Sequence, residues 1–457
     1  MNRSLQSATL AAAIVLALGV ISPAEAAGRP DLVQRGLKQG KPHVFNEVLV
    51  KFKDGVTASD RRAVRQGLGA SELRTVRANR RNGGDLVLMR LPMGVTVSTA
   101  VSALTGDVAV DYVEPNWMYQ HQAVSNDSLY TNGSLWGMYG ASSSPANQYG
   151  SGAAAAWIRG RNVCSNVVVG VIDEGIYWQH EDLTANIWVN PFDAPDGIDN
   201  DGNGYIDDTR GWDFEGGSNN VNSGGANDDH GTHVAGTIGG VGGNGKGVAG
   251  VCWSGIKMIS ARFLGRRGGS TADAISAVDY LTDLKTRHGI NLVASNNSWG
   301  GGGYSQGLSD AITRANSANI LFVAAAGNDA YNNDTRDSYP SNYTQANVIA
   351  VASTTNTGGL SSFSQWGATT VDLGAPGSAI SSTVPKSSKG KVISAYASYS
   401  GTSMATPHVA GAVAMYAAAN PGSSAAQIKS AILGSTTPTP SLQGKVVTGG
   451  RLNVSGF

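Results

Sequence analysis

Residues 400–413 read "SGTSMATPHVAGAV". From Met404 to Ala419 the pattern is helical, with Pro407 in the first turn, where a missing N–H costs little. Ser403 therefore stands at a helix N-terminus. Unpaired N–H groups and the helix dipole favour negative charge there. That is the place for a nucleophile whose attack creates an oxyanion. A lone serine at such a position is also an ordinary cap, so the reading depends on partners elsewhere in the chain.

Working outward, apolar runs alternate with helical segments from about residue 127 to the end. "VVVGVID", "IKMISARF", "NLVASNNS", "ILFVAAAG" and "NVIAVAST" read as strands. "DDHGTHVAGTIGG", "TADAISAVDYLTDLKTRHG", "GLSDAITRANSAN" and "ATPHVAGAVAMYAAAN" read as helices. Continuous apolar strands between helices predict a buried, mostly parallel sheet in an α/β fold. Sites in such sheets lie at the carboxyl ends of strands.

A serine nucleophile needs a base, and the base needs a carboxylate to hold its tautomer. "DDHGTHVAG" offers His230 and His233; His230 begins a helix, and His233, one turn on, reads as a buried structural histidine. Asp173 ends the run "VVVGVID", where an apolar strand can orient and desolvate it. The chain order is Asp, His, Ser.

These residues resemble the subtilisin-like serine proteases, whose triad order is the same. "VIDEGI" around Asp173, "HGTHVAGT" from His230, "GTSMATPHVAG" around Ser403 and "VAAAGN" ending in Asn328 match four family motifs in order, over residues 127–457. The resemblance implies a three-layer sandwich and a peptide-hydrolysing Asp173–His230–Ser403 triad, with Asn328 and the Ser403 N–H holding the oxyanion. Glu174 departs from the family, which more usually has Ser or Thr there; a supporting hydroxyl bond to Asp173 is then missing. By the same resemblance, Ser298, Trp299 and Gly300 of "NNSWGGG" pair with an extended substrate. Ala325 and Gly327 line the S1 wall, and Ser338 of "DSYP" lies near its floor. Trp299 equally suits plain core packing. The small, neutral lining implies an apolar P1 side chain, with Asp337 allowing a minor basic preference.

The chain has 457 residues, zero formal net charge, 14% charged and 41% apolar residues and 61 glycines. This composition suits a compact, loop-rich exported protein and gives no basic or acidic tract for a nucleic-acid partner. Residues 1–27 read as a signal peptide: Arg3, an apolar run from Ala8 to Ile21, then "SPAEAAG" for cleavage near Ala26 or Ala27. No second segment is fit to span a membrane. Residues 28–124 form a leader before a catalytic domain at 125–457. Residues 28–43 are polar and read as loose. Residues 46–119 read as a β-α-β-β-α-β-like α+β unit, whose helix "TASDRRAVRQGLGA" is capped by Thr57 or Ser59. By resemblance this unit is the inhibitory propeptide, removed by cleavage between Tyr119 and Asp127. A monomer is expected.

The two cysteines, Cys164 and Cys252, precede the strand-like runs "NVVVGVID" and "IKMISARFL". Adjacent parallel strands would bring them together, and an exported protein favours a disulfide. Closing so long a loop is worth about 4 to 5 kcal/mol in the chain-entropy model. Two buried free thiols are the alternative. In "DGIDNDGNGYIDD", Asp199, Asp201 and Asn203 alternate before Gly204, the opening of a calcium loop. Arg210 at the twelfth position excludes an EF-hand. Asp207 or Asp208 supplies the closing carboxylate, with Asp208 assigned to the set. The family resemblance implies a second calcium set of Asp127, Asp182 and Asn244. The expected product is a secreted, calcium-stabilised endopeptidase of broad specificity. The alternatives are a narrow-specificity processing protease or peptide ligase of the same fold, and a catalytically silent binding protein.

Overall fold

The computed structural model describes residues 29–41, 43–77, 84–118 and 125–457. The expected signal peptide and its cleavage at Ala26 or Ala27 lie outside the described residues. So does most of the expected maturation segment, at 119–124. The chain divides into two compact units, Met1–Gln120 and His121–Phe457.

In the first unit the described elements are α1 (Pro30–Lys38), β1 (His43–Phe52), α2 (Ala58–Gly67), β2 (Ser71–Arg77), β3 (Leu86–Arg90), α3 (Val97–Leu104) and β4 (Val110–Trp117). The sheet runs β2-β3-β1-β4 and every pairing is antiparallel. Thr57 caps α2 in a reciprocal box with Asp60. The expectation of a loose segment at 28–43 is corrected by α1. Its first residue is Pro30, whose fixed φ suits a helix start. Its apolar stripe then buries Val33 and packs Leu37 against the unit's core. A side chain on Gly36 would meet the Trp117 ring at 2.9 Å, so glycine permits this helix to sit on β4.

The second unit opens with two short helices, α4 (Ser128–Thr131) and α5 (Ala153–Trp157). Then follow β5 (Val168–Asp173), β6 (Gly211–Asp213), α6 (Asp229–Gly239), β7 (Lys257–Arg262), α7 (Thr271–His288) and β8 (Leu292–Asn297). Next are α8 (Gln306–Ser317), β9 (Leu321–Ala325), β10 (Val348–Thr354), β11 (Leu373–Pro376), β12 (Ile380–Ser388) and β13 (Lys391–Tyr399). The unit closes with α9 (Thr402–Ala419), α10 (Ala425–Gly434), β14 (Thr437–Pro438) and β15 (Gly450–Arg451). One sheet runs β14-β15-β11-β10-β9-β8-β5-β7-β6, parallel throughout except for β14.

The apolar runs are continuous because both sheet faces are covered. On one face Val169 and Val171 of β5 join α6, α9 and α10 in the larger core. On the other, Val168 and Ile172 join α7 and α8. Helix, sheet and helix make the three layers. Cys164 and Cys252 are disulfide-bonded, with Cα atoms 6.0 Å apart and a sequence separation of 88. The bond forms because β5 and β7, which they precede, are parallel neighbours.

Candidate active site

Asp173 is the last residue of β5 and is fully buried. His230 is the second residue of α6, whose buried face packs His233 and Val234 into the core. This seats the His230 ring against the strand end. Asp173 Oδ1 accepts from His230 Nδ1 at 2.8 Å and from the Glu174 N–H at 2.8 Å. The first bond places the proton on Nδ1 and leaves Nε2 as the free base. The His230 side chain is 27% exposed, enough to meet a ligand. Burial disfavours its charge, but the Asp173 carboxylate, then Glu174 and Asp229, outweigh burial and raise the imidazole above its ordinary value. No protein group among the described residues donates to the buried Asp173 Oδ2, which agrees with the loss of a hydroxyl at position 174.

His233 is a structural residue. Its Nε2 donates to the Ile380 carbonyl at 2.9 Å, its ring stacks on Tyr399 at 4.6 Å, and burial lowers it to about 3.

Ser403 is the second residue of α9, so its N–H is among those the helix leaves unpaired. Its hydroxyl donates to the Ser298 carbonyl at 3.1 Å, and the Ser298 hydroxyl donates back to the Ser403 carbonyl at 2.9 Å. No hydrogen bond joins Ser403 to His230 among the described residues. Such bonds are often long before substrate arrives.

Asn328 follows β9. The N–H and hydroxyl of Thr402 both donate to its Oδ1, at 2.9 and 3.0 Å. These two donors fix the amide orientation and leave Nδ2 free to donate. Gly327, just before it, has φ +113°, and a Cβ there would lie 2.0 Å from Gln365 Oε1. Only glycine fits that turn.

A cleft of about 460 Å³ opens beside Ser403. Trp299, Gly300, Ala325, Gly327, Asn328 and Ser338 all border it. Ser298 touches Ser403 instead. The Ser338 hydroxyl ties the floor by donating to the Ala326 carbonyl at 3.2 Å. Trp299 serves both readings: its ring packs edge-on to Phe263 at 4.9 Å, and the residue also borders the cleft. The lining also includes Asp329, Tyr331, Arg336, Asp337, Gln365 and Thr402. Arg336 lies over the Tyr331 ring at 4.2 Å. Asp337 is part of the motif-based expectation of a small, mostly neutral lining, and Asp329 and Arg336 are not. No periodic signal marks them, because they sit on loops after β9 and before β10.

The calcium residues fall in two places. Around residues 193–208, Asp193, Asp201 and Asp208 have buried carboxyl groups. Asn203 Nδ2 bridges Asp201 and Asp208 at 3.3 and 3.1 Å. Burial, then nearby Asp201, pushes Asp208 up to about 6 against hydrogen bonds that lower it. The one basic side chain bonded there is His288, on Asp201 at 3.0 Å. Asp208 also accepts from the Tyr280 hydroxyl at 2.6 Å and Asn190 Nδ2 at 2.5 Å, and three buried carboxylates with a single histidine partner still offer the hard oxygens a divalent cation takes. Asp199 serves the turn itself, accepting the N–H groups of Gly202, Asn203 and Gly204 at 2.8 to 3.1 Å. Asp193 escaped the sequence reading because it precedes the motif. The second set also meets, but its oxygens are already used. Asp127 accepts three N–H groups, from Gly243, Asn244 and Gly245, and the Ser125 hydroxyl. Asp182 accepts from Asn244 Nδ2, the Val248 N–H and the Tyr396 hydroxyl. These contacts pin the 243–248 loop.

Residues 164–451 match the subtilase family of peptidases, and residues 33–116 match the fervidolysin N-terminal prodomain. An "Extracellular protease" of Xanthomonas campestris is 43% identical over 264 residues, 55% of this chain and 44% of that protein. An "Extracellular basic protease" of Dichelobacter nodosus is 32% identical over 401 residues, 80% of this chain and 62% of that protein. The chain thus spans less than two thirds of either relative. A protease structure from Pseudoalteromonas arctica aligns with TM-score 0.56 at 30% identity, covering 73% of this chain and 97% of that one. With a family match over most of its length, the chain belongs to the subtilase family.

Proposed function

We propose that this protein is a secreted serine endopeptidase made as a preproenzyme, with a signal peptide at 1–27, a propeptide at 28–124 and a catalytic domain at 125–457. The extracellular relatives support export, and no described helix is long and apolar enough to cross a membrane. The prodomain match supports an intramolecular inhibitor at 46–119. The observation that carries the reading is the 2.8 Å Asp173–His230 bond; Ser403 and Asn328 together border the cleft described above.

In this reading Ser403 Oγ attacks the substrate carbonyl carbon while His230 Nε2 takes its proton. Asp173 steadies the imidazolium. Asn328 Nδ2 and the Ser403 N–H receive the developing oxyanion. His230 then returns the proton to the leaving amine, and water repeats the cycle on the acyl-enzyme. The substrate lies extended along Ser298–Gly300, with its P1 side chain in the cleft walled by Ala325, Gly327 and Ser338. Broad cleavage with an apolar P1 is the leading reading. Asp329, Arg336 and Asp337 around the cleft favour narrower, charge-dependent cleavage as the second. Digestion of a mixed peptide library by the self-matured protein separates them: apolar P1 residues dominate under the first, charged ones under the second. No cleavage at all by the matured protein would remove both.

A calcium ion held by Asp193, Asp201 and Asp208, with Asn203 turned to offer its oxygen, would neutralise the buried charge and stiffen the 193–208 loop. Excess chelator is therefore expected to lower the melting temperature, with calcium in excess restoring it. An unchanged melting curve in both would exclude this site.

A further inference from the structure

Glu174 stands where the family more usually has a hydroxyl, and its surroundings are unusual for a glutamate. It is half-buried, and its carboxyl lies within 4.8 Å of ligand atoms of both Asp173 and His230. The backbone N–H of Glu174 already donates to Asp173 Oδ1. The other oxygen, Oδ2, is buried and receives no donor from the described residues. A buried carboxylate oxygen without a donor is destabilising, most of all when charged. The side chain one residue away can supply that donor only as a neutral acid.

We propose that Glu174, as the protonated carboxylic acid, donates a hydrogen bond to Asp173 Oδ2 and so acts as a positioning residue of the triad; the role rests on the peptidase reading above. Glu174 takes no part in the proton transfer to or from substrate, and no bond to substrate is made.

The charges around Glu174 agree. Asp173 ends β5, and Asp228, Asp229 and His230 open α6. Tyr399 of β13 bonds to Asp229. Arg262 of β7 is committed elsewhere: it pairs with Asp213 and Glu215 at 2.8 Å and with Asp228 at 3.6 Å. Burial, then the Asp173 charge, raises Glu174 to about 7, outweighing the opposite pull of His230. Glu174 and His230 therefore titrate as a pair. Once Glu174 ionises it loses the bond to Asp173, adds a negative charge beside the ring and holds the imidazolium. Removing that charge must lower the His230 midpoint.

The test compares Glu174→Gln, which keeps an N–H donor and never ionises, with Glu174→Leu, which keeps bulk alone. In full-length protein carrying Ser403→Ala, the His230 Nδ1–H resonance is followed against pH. Both variants are expected to lower its midpoint by about 1 pH unit. Glu174→Gln is expected to keep the resonance sharp and downfield, while Glu174→Leu broadens it. In active protein, kcat should fall about tenfold in Glu174→Leu and stay within about twofold in Glu174→Gln, with Glu174→Ser recovering most of the loss. Variants that mature slowly are processed with added wild-type protease. The proposal is overturned if the Gln and Leu variants coincide in resonance shape and in kcat, or if neither moves the midpoint. The resonance needs no activity. A wild type that hydrolyses nothing while the resonance behaves as stated would sink the peptidase reading and leave the Asp173–Glu174 bond standing.

Discussion

Ser403→Ala is expected to lower kcat for peptide hydrolysis by about 10⁶-fold with little change in KM, and to leave the chain uncleaved at full length. That scale comes from subtilisin, a member of the same family, and is carried over to this protein. The substitution removes only the hydroxyl, which among the described residues donates one hydrogen bond, to the Ser298 carbonyl. Folding should therefore survive, and melting of the variant should match wild type. His230→Ala is expected to cost about as much, and the double variant no more than either, because base and nucleophile act as one unit. Asp173→Asn should cost about 10⁴-fold, since an amide at that position presents the wrong partner to Nδ1. The measurement is kcat and KM on one chromogenic peptide amide, with intact mass to follow processing. Retained hydrolysis in a protease-free preparation of Ser403→Ala would remove the serine from the mechanism.

Asn328→Ala is expected to lower kcat by about 10² to 10³-fold and to spare KM, the scale known for the matching asparagine in subtilisin. In this protein the geometry gives it a specific cause. Thr402 spends both its N–H and its hydroxyl on Asn328 Oδ1, so the only free donor of the amide is Nδ2. A donor that meets charge only as it develops stabilises the transition state and not the bound ground state, so the loss falls on kcat. Asn328→Asp is expected to be as damaging, because it offers no donor and sets a carboxylate where an oxyanion forms. A rise in KM with kcat unchanged would show that Asn328 binds substrate in its ground state instead.

The parts of the fold legible in the sequence were those where periodicity or chemistry is strong. β5, β7, β8, β9 and β10 are buried on both faces, so each reads as an unbroken apolar run. α7 shows its start in Ser270, whose side chain accepts the Asp273 N–H, and its end in Gly289 at φ +67°. The triad residues were legible because each sits in a motif whose spacing serves one geometry. The β12–β13 hairpin was not. Its residues are mostly Ser, Thr, Lys and Tyr, one face packs on α6 and the other meets solvent, so no apolar run marks it. Yet it supplies the carbonyl that orients His233 and the ring that stacks on it. β6, β14 and β15 hold two or three residues each, too few for any period to show. α1 escaped because its apolar stripe rests on only Leu32, Val33 and Leu37 among charges. Thr402 and Arg336 act through tertiary contacts that no local pattern encodes.

The claim that Ser403 is the nucleophile is tested most directly by covalent trapping. The self-matured protein is treated with a fluorophosphonate, which phosphonylates an activated serine, and the adduct is located by peptide mass mapping. The expected result is one adduct per chain, on the peptide containing Ser403, formed in step with loss of hydrolysis and absent after Ser403→Ala or His230→Ala. Hydrolysis that persists with Ser403 fully labelled, or an adduct on another serine that tracks the loss of activity, would contradict the assignment.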